Sequence, residues 1–211
     1  MDRIKLLFGD VLAATADIGS GLMIGTALGT IDDHYFRQHW PWIYSAAILF
    51  ALLPDLDIVL KVVDAKIRGN SRGHHRTILH QPFYFGIALT VWFALALLLR
   101  WPLIWPLTFA AGSLLHFGKD SLGEYDQQGK EFNIGISWLS PFRRETFVLF
   151  GMMGKEKRFL VTKPVGFVGM EHKQWLRTLY LRMNQRLLKE IGWFMLWLLI
   201  AAVRVASVEL R

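Results

Sequence analysis

The chain contains no cysteine. That excludes disulfides and thiolate metal sites, and it leaves histidine and carboxylates as the strong metal ligands. Charge is also scarce. Only 19% of the 211 residues are Asp, Glu, Lys or Arg, below what a soluble domain of this length carries. Acidic residues are the rarer sign, 17 against 24 Lys and Arg, for a net charge of +7. No internal repeat and no low-complexity tract interrupts the chain. A cleavable signal peptide is not expected, because Asp10 and Asp17 fall within the first twenty residues and no small-residue cleavage site follows a clean apolar core. What is abundant is apolar: 53% hydrophobic residues, with 9 Trp and 15 Phe. This is the composition of a protein with much lipid-facing and interfacial surface.

The apolar segments set the expected fold. Residues 11–30 form a first span containing Asp17, and residues 40–53, between Pro41 and Pro54, form a second that is short for a crossing of about 20 residues. Residues 83–99 form the strongest span and residues 101–117 follow at once. The break at Arg100-Trp101-Pro102 combines charge, aromatic and proline, as a tight helical hairpin turning at an interface would. A last span covers residues 191–208. Leu176, Leu179, Tyr180, Met183 and Leu187 recur at helical spacing, with Arg177, Arg182, Arg186 and Lys189 between them. Residues 171–190 therefore read as an amphipathic helix lying on the membrane surface. The expected class is all-α: a polytopic membrane helical bundle of four to five spans plus this interfacial helix. Residues 1–150 would form the membrane-embedded part with the polar site, and residues 151–211 the basic helix and C-terminal span.

Loop charge sets the expected orientation. Residues 58–80 hold Lys61, Lys66, Arg68, Arg72 and Arg76 against Asp64, and residues 118–189 hold thirteen basic residues against seven acids. The loop at 31–39 is not basic. Alternating spans thus put 58–80 and 118–190 on the positive, cytoplasmic side of an inner membrane. Arg204 and Arg211 near the C-terminus run against this scheme. The basic excess is accounted for by orientation and by anionic lipid headgroups, so membrane lipids are the expected partners and nucleic acid is not.

Three polar motifs fall on that one face: Pro54-Asp55-Leu56-Asp57, His74-His75-Arg76-Thr77-Ile78-Leu79-His80, and His116-Phe117-Gly118-Lys119-Asp120. Carboxylates and imidazoles near a bilayer are costly unless paired or bound to a cation. His116 and Asp120, at i and i+4, share a helix face and can chelate one ion. Imidazole and carboxylate without sulfur suit zinc first, then manganese or iron. Each motif alone also has a plainer explanation: a capped helix end, a hydrogen-bonded His/Asp pair, or a headgroup-facing loop. Asp17, a carboxylate inside a span, is a further candidate ligand. Gly21 and Gly25 follow it at four-residue steps, which reads as close helix packing. His34, His39 and His172 lie outside the set.

Taken in order, PDLD, HRxxxH, HxxxD and the stretch Trp138-Leu139-Ser140-Pro141-Phe142 followed by Arg143-Arg144 resemble the YdjM-like membrane-bound metal-dependent hydrolases of bacteria and archaea. The resemblance spans residues 11–150. It implies metal-site roles for Asp55, Asp57, His75, His80, His116 and Asp120, and a distant similarity to the zinc-dependent phospholipase C and P1 nuclease group, hence phosphate-ester hydrolysis. The chain departs from the family pattern in three places. Asp17 stands where members often carry a first-span His, Ile58 follows PDLD where a His is common, and Thr77 and Leu79-His80-Gln81 replace a Gly and Thr-His-Ser pattern.

The expected function is a divalent-metal-dependent hydrolase acting on a phosphorylated or lipid substrate at the cytoplasmic interface. Asp57 would orient the attacking water or take its proton. Arg76, and Arg143 or Arg144, would grip a phosphate oxygen. The alternative is a non-catalytic membrane adaptor or a metal-stabilised scaffold for cytoplasmic partners, motivated by the long basic stretch 142–190. An ion transporter fits less well, since repeats are absent.

Overall fold

The computed structural model describes residues 3–56, 81–122, 135–136, 138, 140, 142, 145–150, 152–153, 156–164 and 185–210. The chain is mostly helical. Helix α1 covers Arg3–Ile31 and α2 covers Asp33–Leu52, continuing into a 3-10 turn at Leu53–Leu56. Helix α3 is Pro82–Leu98, α4 is Ile104–Asp120 and α5 is Gln185–Glu209. All five apolar segments read from the sequence are helices.

One boundary differs from expectation. Helix α2 begins at Asp33 rather than Trp40 and carries Pro41 inside it. Asp32 starts it, its carboxylate accepting from the Tyr35 amide at 2.9 Å, the usual way to satisfy a free N-terminal amide. Its 20 residues extend about 30 Å, the length of a bilayer core. Of the helix expected over 171–190, residues 185–190 are helical within α5, and residues 171–184 lie outside the described residues. By length and composition, one helix among the described residues, Leu187–Glu209, is apolar enough to cross a membrane; Pro82–Leu98 is apolar but shorter.

The chain divides into two compact units. The first holds α1, α2, the ends of α3 and α4 nearest their connection, and α5. Its core gathers Leu22, Ile24, Leu28, Phe36, Ile43, Tyr44, Ala47, Ile104 and Ala201. A glycine ladder lets α1 and α2 lie close. A Cβ on Gly21 would stand 2.5 Å from the Cα of Ile48, one on Gly25 2.5 Å from the Tyr44 ring, and one on Gly29 2.5 Å from the Phe36 ring. The glycines are thus packing residues, as their spacing implied. Tyr44 also shares a hydrogen bond with Thr26 at 2.9 Å. The α3–α4 turn comes where Arg100-Trp101-Pro102 marks it. Arg100 adopts a left-handed φ of 54°, and the Trp101 amide donates to the Ala96 carbonyl at 2.8 Å, closing the end of α3.

The second unit holds the 3-10 turn, the start of α3, the end of α4 and four short strands. Strand β1 (Glu145–Leu149) pairs antiparallel with β4 (Leu160–Pro164), and β2 (Met152–Met153) with β3 (Glu156–Lys157). The chain is therefore not purely helical: residues 145–164 form a β-ribbon where a basic connection was expected. The ribbon is tied to α4, since the Leu149 amide donates to the Ser121 carbonyl and Leu122 bridges Leu149.

Candidate metal centre

Helix register brings the polar residues together. Gly112 on α4 packs on the end of α2, where a Cβ would stand 2.9 Å from the Ala51 amide nitrogen. His116 lies one turn further along the same face of α4, and Asp55 lies four residues beyond Ala51 in the 3-10 turn. His116 Nε2 is 3.6 Å from Asp55 Oδ1 and 3.1 Å from Asp120 Oδ2. The imidazole is 2% exposed, while the Asp55 and Asp120 side chains keep 30% and 19% exposure. The HxxxD pair thus shares a face, and Asp55 of the PDLD motif joins it.

Asp17 follows from the glycine ladder. Contacts run Gly29–Phe36, Gly25–Tyr44 and Gly21–Ile48, so one more turn sets Asp17 level with the end of α2. It is not an interruption of α1, which continues through it, and it is 2% exposed. Asp17 belongs to the first unit, whereas Asp55, His116 and Asp120 lie together in the second. A nitrogen lone pair facing several carboxylate oxygens is repulsive unless a proton or cation stands among them. One imidazole and carboxylate oxygens make the nitrogen–oxygen donor set that suits zinc, manganese or iron, so these residues fit a divalent ion. Asp57, His75, Arg76, His80, Arg143 and Arg144 lie outside the described residues.

The Trp138–Phe142 stretch has a role that sequence reasoning did not assign. Trp138 Nε1 donates to Ser121 Oγ at 2.8 Å, and Ser121 Oγ donates to the Phe117 carbonyl at 2.7 Å. Ser140 Oγ donates to Gln81 Oε1 at 2.7 Å, and the rings of Phe142 and Phe83 meet edge to face at 5.1 Å. Phe117, between His116 and Gly118, is 1% exposed and meets Phe85 at 5.0 Å. The stretch therefore clamps the His116–Asp120 end of α4 to the start of α3. Its indole and hydroxyl donors were the available signal, since buried Trp and Ser need partners.

A second polar cluster lies within the first unit, at the α1–α2 turn. Arg204 of α5 donates to the Asp33 carboxylate and, at 3.1 Å, to the Gly29 carbonyl, and it stands 5.0 Å over the Phe36 ring. Asp33 also accepts from Arg37 at 2.8 Å. The Arg204 hydrogen bond, then that of Arg37, holds the Asp33 carboxyl below the usual aspartate range. Trp40 Nε1 donates to Glu209 at 3.0 Å. His39 stacks on Tyr35 at 4.1 Å and His34 meets Gln38, so both histidines belong to this surface and not to the metal centre. Arg204, which ran against the loop-charge scheme, is neutralised within its own unit.

No curated protein and no solved structure matches the chain. The family model described as YdjM inner membrane protein matches residues 15–209. That match runs through α5, beyond the stretch that carries the motifs. The chain belongs to the YdjM inner membrane protein family.

Proposed function

We propose that this protein is a multi-pass, metal-dependent hydrolase of the inner membrane, acting on a phosphate ester or lipid at the cytoplasmic interface. The observation that carries the reading is the buried His116 imidazole set between the partly open carboxylates of Asp55 and Asp120. Burial on one side and exposure on the other is what a reacting centre needs: fixed ligands and an approach for substrate. In this reading Asp55, His116 and Asp120 hold the ion, zinc before manganese or iron, with His75 and His80 as the further ligands that the motifs imply. When bound, such an ion acts as a Lewis acid and lowers the pKa of a water ligand. Asp57 takes the proton of the attacking water. Arg76, with Arg143 or Arg144, holds the phosphate oxygens through forked donors. The multi-pass topology is supported by the 20-residue α2 and the short α3–α4 hairpin.

The burial of His116, 2% exposed, favours a second reading in which an ion only fastens the 3-10 turn to the end of α4. The two separate on one experiment. Purified full-length protein in nanodiscs, loaded with zinc, is assayed with bis-(p-nitrophenyl) phosphate and with phospholipid vesicles. The proposal expects metal-dependent phosphate-ester hydrolysis that falls by about a hundredfold or more in His116→Ala, the upper range for disturbing a metal's surroundings. Protein that binds zinc yet hydrolyses none of these probes is the scaffold.

A further inference from the structure

The β-ribbon plays no part in the metal centre, yet its outer end is unusual. The pairing register runs from Glu145↔Pro164 to Leu149↔Leu160, and a second short pair, Met152↔Lys157 and Met153↔Glu156, keeps the same register. Near its base the ribbon is packed: Thr146, Val148 and Val161 are buried. One pair further on the same face come Phe150 and Phe159, whose rings meet edge to face at 5.2 Å while remaining 46% and 69% exposed. Leu160 is 49% exposed. The tip beyond them reads Met152-Met153-Gly154-Lys155. The ribbon thus becomes more apolar at its surface as it leaves the part that could bury it.

Backbone geometry points the same way. Phe150 has a φ of 55°, a region that residues bearing a β-carbon disfavour. Its amide donates to the Phe159 carbonyl at 2.7 Å, so the aromatic pair is held in place against a backbone preference, a feature that clusters at functional positions. Around the pair the sequence is basic. Residues 143–164 carry Arg143, Arg144, Lys155, Lys157, Arg158 and Lys163 against Glu145 and Glu156.

Exposed aromatics in a stretch of sequence rich in Lys and Arg make an element that lies in a lipid interface, with apolar side chains below the headgroups and cations among the phosphates. We propose that the outer end of this ribbon, at Phe150 and Phe159, docks into the surface of an anionic lipid bilayer. The positive charge selects anionic lipid, and the docked ribbon braces the end of α4 to which Ser121 and Leu122 tie it. The inference needs only that the chain resides in a membrane, and it stands apart from the metal chemistry.

The absence of cysteine makes the test clean. Phe159→Cys and, as the control at the ribbon's base, Thr162→Cys are labelled with an environment-sensitive NBD fluorophore. Each full-length variant is placed in nanodiscs of phosphatidylcholine alone or with phosphatidylglycerol, with and without lipids bearing a shallow nitroxide. Docking predicts blue-shifted emission and strong nitroxide quenching at position 159 in anionic discs, and weaker quenching at 162. The quenched fraction should fall in neutral discs. Replacing Lys155, Lys157 and Arg158 by Gln should lower the docked-to-free ratio by about fivefold per charge near an anionic surface. Quenching at 159 no greater than at 162 would overturn the proposal, and so would quenching independent of anionic lipid. Blue-shifted emission without nitroxide quenching would also overturn it, by showing protein covering the tip.

Discussion

Replacing Gly21 by alanine is a severe test of the packing described above. A Cβ there would meet the Ile48 Cα at 2.5 Å and its amide nitrogen at 2.7 Å, where ordinary contact begins near 3.4 Å. Backbone atoms cannot rotate away, so α1 and α2 must part by about 1 Å at this point, and overpacking of this kind costs about 1–3 kcal/mol. Gly86 supplies the reference, because nothing lies within 4 Å of its added Cβ. There alanine should stabilise by about 0.5–1 kcal/mol through helix propensity alone. Gly21→Ala gains the same helix propensity, so the two variants differ by the overpacking cost alone, about 1–3 kcal/mol. The assay is the thermal midpoint of full-length protein in one detergent, where a chain of this length moves by about 2–4 °C per kcal/mol. Gly21→Ala should melt below wild type and Gly86→Ala at or above it. Equal midpoints for the two would refute the close α1–α2 approach, and with it the register that sets Asp17 level with the end of α2.

Other consequences follow from particular contacts. Because Arg204 and Arg37 depress the Asp33 pKa, Asp33 contributes stability above the ordinary aspartate value of 3.8 and loses it as pH falls through its lower folded value. Wild type should therefore outlast Asp33→Asn in thermal melts at pH 6, with the gap closing in acid below that range; a gap independent of pH would show the pair to be idle. Trp138→Phe keeps the ring and removes the donor to Ser121, so it should cost about 0.5–1.5 kcal/mol and speed amide exchange at the end of α4. Unchanged exchange there would mean that Trp138 does not clamp this helix.

The helices were legible as apolar runs, and Arg100-Trp101-Pro102 marked the turn between α3 and α4, whereas Asp32 at the start of α2 was passed over. Pro41 misled, since a proline well inside α2 resembles a boundary on local grounds and is tolerated only through the packing around it. His116 and Asp120 were legible as an i, i+4 pair. The partnership with Asp55 depended on Gly112 seating α4 on Phe50 and Ala51, a long-range contact without a local signature. Asp17 resembled a charge stranded in a span. The glycines after it hold the register that explains it, but a step of four residues does not say which partner the ladder meets. The ribbon at 145–164 was obscured by the charge around it: short strands flanked by Lys and Arg read as a basic connection, and pairing over so few residues is decided by the platform beneath Val148 and Val161.

The central claim is that Asp55, His116 and Asp120 hold a divalent ion. It is tested most directly by metal analysis of full-length protein after zinc loading and exhaustive exchange, comparing wild type with Asp55→Ala, His116→Ala and Asp120→Ala. The account predicts stoichiometric zinc in wild type and its loss in His116→Ala and Asp55→Ala, with each variant still eluting as wild type does. Metal-free wild type, or zinc retained in full when His116 is removed, would contradict it.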